Sequence, residues 1–148
     1  MCLLRVNNLP ASSIHPLQRL QKQAAKLVSL KQWDDSSTES LKTLHWLPVK
    51  FRIIFKILCL AFKAIHKQSP TYLQNMFQIK QQSRYNLRSN QQIMYNIPHS
   101  NCVTLGDRSF AVSAPKMWNS LPQNLRECTN FKLFKKKLKT HLFSQAFI

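Results

Sequence analysis

Apolar residues recur along this chain with helical spacing. Between residues 16 and 30, Leu17, Leu20, Ala24, Leu27 and Val28 share one face of a helix, and Arg19, Lys22 and Lys26 lie opposite. The pattern predicts an amphipathic helix with the leucines inward and a basic stripe outward. The most apolar run spans 48–67. There Val49, Ile53, Ile54, Ile57, Leu58, Leu60, Ala61, Ala64 and Ile65 cover one broad side, and Phe51, Phe55 and Phe62 cover much of the other. Only Arg52, Lys56, Lys63 and Lys67 form a charged ridge, within about one sixth of the circumference at roughly 100° per residue. A helix this apolar must be packed from several sides, so it is expected at the centre of the fold. In a last helix over 130–142, Phe131, Phe134, Leu138 and Leu142 share a face beside Lys132, Lys135, Lys136 and Lys139. Phe110, Ala114 and Trp118 recur every four residues, although Pro115 interrupts that run.

Punctuation comes mainly from proline, since Gly106 is the only glycine. Ser36-x-x-Glu39 has the form of a capping box and starts a short helix through Leu44. Pro48 suits the first turn of the central helix, and Ser69-Pro70 the cap and first position of a further short helix through Phe77. Thr129 is placed to cap the last helix. Residues 93–97 and 102–105 are short β-like runs about a four-residue connection, which predicts a hairpin. Gly106 is expected to supply a positive-φ turn and Asp107 to cap the helical turn after it. Trp46 and Trp118 read as core residues, and Trp33, beside two aspartates, as partly exposed. The fold class is therefore mainly α: one small domain, 1–148. It has a helical half at 8–77, a basic loop at 78–92, and a hairpin near 93–105 followed by C-terminal helices at 93–148.

Charge changes this picture. The chain carries 22 Lys+Arg against 5 Asp+Glu, a net charge of +17, with no acidic residue between Glu39 and Asp107 or after Glu127. Such a field repels itself unless a polyanion neutralises it, and nucleic acid is the usual partner of a small domain of this kind. A lysine-rich solvated surface is the blander alternative. Cys2, Cys59, Cys102 and Cys128 are widely spaced, with no C-x-x-C pair, which gives no disulfide framework and points to a reducing, intracellular setting. Residues 1–10 lack the apolar run of a secretion signal, so the chain is not expected to be secreted. The apolar stretch at 53–65 contains Lys56 and Lys63 and is too short to span a bilayer, so no membrane segment is expected.

Candidate chemistry follows from the charge. Lys80, Arg84 and Arg88 lie in an acid-free run with Tyr85 among them. Guanidinium forks suit phosphate, and a tyrosine face can stack on a base. The same run also fits a solvated loop. Lys135 and Lys139 on the last helix, with Arg52, Lys56 and Lys63 on the central ridge, are further candidate backbone contacts. Lys135-Lys136-Lys137 also fits a nuclear-address patch or a plain solvated face. Asp34-Asp35 is the only adjacent acidic pair, and it reads as a polar linker. His99-x-x-Cys102 offers two metal ligands where a structural zinc needs four. No nucleophile motif supports a Ser–His–Asp site. No catalytic residue, metal, cofactor or small-molecule substrate is expected.

Two irregular strings carry a family resemblance: Leu44-His45-Trp46-Leu47-Pro48-Val49 running into residues 50–65, and Gly106-Asp107-Arg108-Ser109-Phe110 running on to Trp118-Asn119-Ser120-Leu121-Pro122. Together they resemble the extreme C-terminal part of LINE-type (non-LTR) retrotransposon reverse transcriptases. Residues 9–28 resemble the helix after the polymerase palm, 83–90 (SRYNLRSN) the family's Arg-rich loop, and 131–147 its closing helix. The resemblance covers about residues 8–147. It implies a thumb-like, post-palm region of an RNA-directed DNA polymerase that holds RNA or DNA through backbone contacts. The metal-binding aspartates of the palm would then lie outside it, since Gln32-Trp33-Asp34-Asp35 does not match the family's aromatic-x-Asp-Asp turn. A second role stays open: a helical remnant that packs on an absent palm domain and has no activity alone.

Overall fold

The computed structural model describes residues 11–32, 34–80, 93–100, 106–107 and 109–147. They form seven helices: α1 Ala11–Val28, α2 Ser37–Thr43, α3 Val49–Ile65, α4 Thr71–Gln74, α5 Phe110–Asn119, α6 Gln123–Arg126 and α7 Phe131–Phe147. The mainly α class expected from the pattern is what is observed.

Helix α3 is the hub. It packs against α1, α4, α5 and α7. Its Ile57, Leu58, Cys59, Ala61, Phe62 and Ala64 are all buried, as a helix apolar on most sides requires. The Phe62 ring lies 4.6 Å from Phe134, 5.5 Å from Phe131 and 6.3 Å from Trp118, so α3, α5 and α7 meet around one aromatic cluster. Phe110, Ala114 and Trp118 are buried at their four-residue spacing, and the helix continues through Pro115, which is itself buried. Aromatic pairs of this kind contribute about 0.5–1.5 kcal/mol each beyond the area they bury.

Proline opens three helices, and Pro48 and Pro70 do so from a place one residue earlier than expected. Pro48, Pro70 and Pro122 are N-caps with extended ψ near 150°, rather than first helical residues. Each carbonyl accepts the first hydrogen bond of the helical ladder, as in Arg52 N–H to Pro48 O at 3.0 Å. Ser69 therefore does not cap α4, which also ends at Gln74 rather than Phe77. Because Pro48 has no side chain to cap α3, Gln18 of α1 does so: its Oε1 accepts the Val49 N–H at 2.8 Å. Gln21 donates to the Leu47 carbonyl at 2.8 Å, and Gln18 donates to Gln21 at 3.0 Å. Two glutamines thus tie α1 to the start of α3.

Helices α1, α2 and α3 all stop in the same way. Leu30, His45 and Lys67 adopt φ of 52°, 54° and 57°, each two residues past the last helical residue. Each following N–H reaches back five residues: Lys31 to Lys26, Trp46 to Leu41 and Gln68 to Lys63. This is the Schellman stop, built here without glycine. Among the described residues no glycine has positive φ, so Gly106 does not supply the turn expected of it. Asp107 is not a cap either, because Ser109 is the residue that precedes α5.

Other local expectations are corrected by competing contacts. Ser36 sits at the N-cap of α2 without a side-chain hydrogen bond, and Glu39 pairs with Lys31 at 3.7 Å, so no capping box forms. Asn130, not Thr129, caps α7; its Oδ1 accepts from the N–H groups of Lys132 (2.9 Å) and Leu133 (3.3 Å). Helix α7 runs five residues past Leu142 because Phe143 and Phe147 find partners: the His45 ring at 5.6 Å and the Lys42 ammonium at 5.7 Å. The hairpin half at 102–105 lies outside the described residues. Its other half pairs elsewhere: Tyr95 bridges Ile79 antiparallel, with Lys80 N–H to Met94 O at 2.9 Å and Asn96 N–H to Gln78 O at 2.7 Å. On its other edge Tyr95 exchanges two bonds with the Asn119 side chain, at 3.0 and 2.8 Å.

The largest correction concerns α1. Its leucine face does not point inward. Leu17, Leu20, Leu27 and Val28 are 51%, 62%, 76% and 59% exposed, while Gln21 and Ala25 are buried against the rest of the fold. The glutamine bonds to Leu47 and Val49 fix the roll of the helix, and a roll that satisfies them carries the leucines outward.

Candidate nucleic-acid interface

Residues 52, 56, 59 and 63 follow one another at intervals of four and three, so they line one side of α3. On α7, Lys135 and Lys139 stand one turn apart. Packing of α3 against α7 places the two sets across a seam. One open groove there, about 690 Å³, is lined by His45, Trp46, Leu47, Arg52, Phe55, Lys56, Lys135 and Lys139. A second, about 250 Å³, continues it and is lined by Phe55, Lys56, Cys59, Leu60, Lys63, Phe131 and Lys135. Phe55, Lys56 and Lys135 belong to both.

Five of the nine residues singled out in the sequence therefore come together: Arg52, Lys56, Lys63, Lys135 and Lys139. No carboxylate lines either recess. Among the described residues none of the five pairs with an acid, since the ion pair that is present joins Lys31 and Glu39. Lys63 is half-buried rather than fully on a solvated ridge; its ammonium lies 5.0 Å from the Phe131 ring centre, and that of Lys135 lies 5.6 Å from it. A ring within reach of two ammonium groups attracts each through its electron-rich face and offsets part of their mutual repulsion.

The Cys59 thiol reports the same geometry from inside. Burial pushes its pKa up, and Lys135, Lys56 and Lys63 pull it partly back down. Three lysines from two helices thus converge on one buried sulfur. The thiol stays protonated at neutral pH and serves as packing.

The other predicted residues lie elsewhere. Lys80 is exposed beside the Ile79–Tyr95 bridge, its N–H bonded to the Met94 carbonyl, and lines neither recess. Arg84, Tyr85 and Arg88 lie outside the described residues, as do Trp33 and Cys102. Trp118 is core, as expected. Trp46, also expected in the core, is half-buried and walls the groove. Phe55, Phe131 and His45 were not among the candidates. The i, i+4 spacing of Phe131 and Lys135 is the signal that could have marked Phe131. Nothing local marks His45, whose place depends on where α2 stops.

Among the described residues no three His, Cys, Asp or Glu side chains are grouped to hold a metal ion, and no helix is long and apolar enough to cross a membrane. Asp34 and Asp35 are exposed in a turn, where Asp35 Oδ2 accepts the Gln32 N–H at 2.9 Å. No family model matches the chain, and neither a curated protein nor a solved structure matches it.

Proposed function

We propose that this chain is the post-palm, thumb-like region of a LINE-type reverse transcriptase, and that the α3–α7 groove holds the phosphate backbone of RNA or DNA. The observation that carries the groove's role is the convergence of five cations from two helices on an acid-free recess. Elementary electrostatics gives such a cluster a purpose only when an anion is present. Apart, the charges repel; with phosphates between them each gains a counter-charge and releases condensed ions. Trp46 and Phe131 add flat faces on which unpaired bases can stack. The polymerase identity rests on the two resembling strings and their order.

In this role the chain is a support, not a catalyst. It binds backbone with little sequence preference and leaves polymerisation to palm aspartates that lie outside it. Purified chain given primer–template, dNTPs and Mg²⁺ extends nothing above background, and Asp34→Asn changes nothing in that assay.

Fluorescence anisotropy over a salt series tests the binding. Five phosphate contacts give a log–log slope of roughly −4 to −5 on duplex DNA. Lys56→Ala with Lys135→Ala makes the slope shallower by about 2 and weakens all sequences alike. An unchanged slope in that double variant would remove the groove from the binding surface, and no binding at low salt would remove the function.

A further inference from the structure

Two rings in the α3–α7 groove lack the company that the core rings have. Phe62, Phe134 and Trp118 pack on one another, and Phe131 meets Phe62 and the ammonium groups of Lys63 and Lys135. Trp46 and Phe55 line the groove, half-buried, and among the described residues neither meets another ring or an ammonium group. Around them stand Arg52, Lys56, Lys63, Lys135 and Lys139, and no carboxylate lines the same recesses. The groove thus joins two uncovered aromatic side chains to cations from two helices.

A duplex cannot use those two rings. Its bases are stacked on each other and show only their edges, at the floor of grooves about 12 and 6 Å wide. An unpaired base offers its whole face, and stacking of that face on an aromatic side chain stabilises single-strand complexes with little regard to sequence. Phosphate charge alone points the other way. Each neutralised phosphate contributes a log–log salt slope of about −0.9 on duplex DNA and about −0.7 on a single strand. A preference for the single strand must therefore come from the rings. We infer that the groove takes a single strand of RNA or DNA, its phosphates on the two cation rows and its bases against Trp46 and Phe55. This inference rests on the groove's proposed nucleic-acid role and narrows it. From residue 52 to residue 63, α3 advances about 16 Å. That length accommodates about four to five phosphates of one strand at roughly 3.4 Å each. An acidic peptide would satisfy the cations, but it has no flat group at each repeat to lay on the rings.

The test uses the full chain with labelled oligo-dT, oligo-U and a blunt DNA duplex of equal length, titrated by anisotropy at one salt concentration. Both single strands bind at least about tenfold tighter than the duplex. Either order of oligo-dT and oligo-U supports the inference and tells which sugar the groove prefers. Trp46→Leu with Phe55→Leu keeps apolar bulk and removes the rings. It weakens single-strand binding about tenfold or more, while duplex affinity and the salt slope stay as they were, because the phosphate contacts remain. Trp46→Phe keeps a ring, so it retains binding but loses the quenching of tryptophan emission that oligo-dT causes in the wild-type chain. Binding that is lost in Lys56→Ala with Lys135→Ala, yet is as tight for the duplex as for the single strands, would overturn this inference and leave the groove's role standing. Binding that ignores the lysine variant would remove both. Quenching that survives Trp46→Phe would also overturn the inference, as would displacement of oligo-dT by polyglutamate of equal charge.

Discussion

Helices α1 and α3 are almost the same length and are joined by two glutamine bridges, yet they meet water in opposite ways. Helix α3 is apolar nearly all round and is buried on most sides. Helix α1 has a well-defined leucine face and exposes it. Periodicity reports that a helix has an apolar face; it does not report what covers that face. For α3 the answer was forced, because beyond Lys50 in its first turn its charged residues form one narrow ridge and leave only one side to give to solvent. For α1 two rolls were available. The polar contacts of Gln18 and Gln21 at 2.8 Å selected the roll that puts Ala25 inside and the leucines outside.

The sharpest way to break this contrast is to truncate one large side chain on each helix. Phe62→Ala costs about 3–5 kcal/mol in urea melts, because it empties the meeting point of three helices. Leu20→Ser changes stability by no more than about 0.5 kcal/mol. Similar losses from the two would mean that α1 is packed on its leucine face after all. Next in size is the glutamine tie. Gln21→Leu leaves the Leu47 carbonyl without its donor and costs about 1–3 kcal/mol, although it adds an apolar residue to a buried position. A gain in stability would show that apolar burial, not the hydrogen bond, sets the roll.

A smaller effect, opposite in sign, comes from the shared helix stops. Leu30→Gly and Lys67→Gly each raise stability by roughly 0.5–1 kcal/mol, because glycine accepts positive φ without the side-chain clash that Leu and Lys suffer. The Leu30 change also removes an exposed leucine, so its melting shift compares directly with that of Leu20→Ser. The least effect is on pH dependence and belongs to α3. Burial raises the Cys59 pKa above its ordinary 9.0, so the thiol's contribution is complete below that value, where folded and unfolded chains are both protonated. As pH rises further, the unfolded chain loses its proton first, and stability falls until the folded thiol ionises as well. Cys59→Ala removes this part of the alkaline loss, measured by melts across pH 8–11 at about half-unit steps; an unchanged profile would place the loss on Tyr95, whose pKa burial also raises.

What was legible in the sequence follows the same division. The faces of α3, α5 and α7 could be read because each is fixed by many apolar residues at once. Single-residue cues fared worse. Ser36, Thr129, Gly106 and Asp107 each had a plausible local role that the fold does not use: Asn130 took the cap of α7, Ser109 is the residue before α5, Lys31 took Glu39, and Gly106 has no positive φ. The groove was half legible. Its two cation rows could be seen on their own helices, but their meeting depends on how α3 crosses α7, which no spacing along the chain encodes. Its aromatic walls, Trp46 and Phe131, depend on that crossing too.

The Asn119 side chain has a consequence of a different kind. Tyr95 offers its side toward Ile79 to neighbouring bonds and turns its own N–H and C=O the other way, where the Asn119 amide meets both. One side chain thus imitates an adjoining strand. An extended segment with a bare edge is an invitation to another molecule's extended segment, and the end of that road is aggregation. Here the invitation on the Tyr95 side is withdrawn by two atoms of one residue, so that edge of the short piece of β structure has no place for a stranger to add to it.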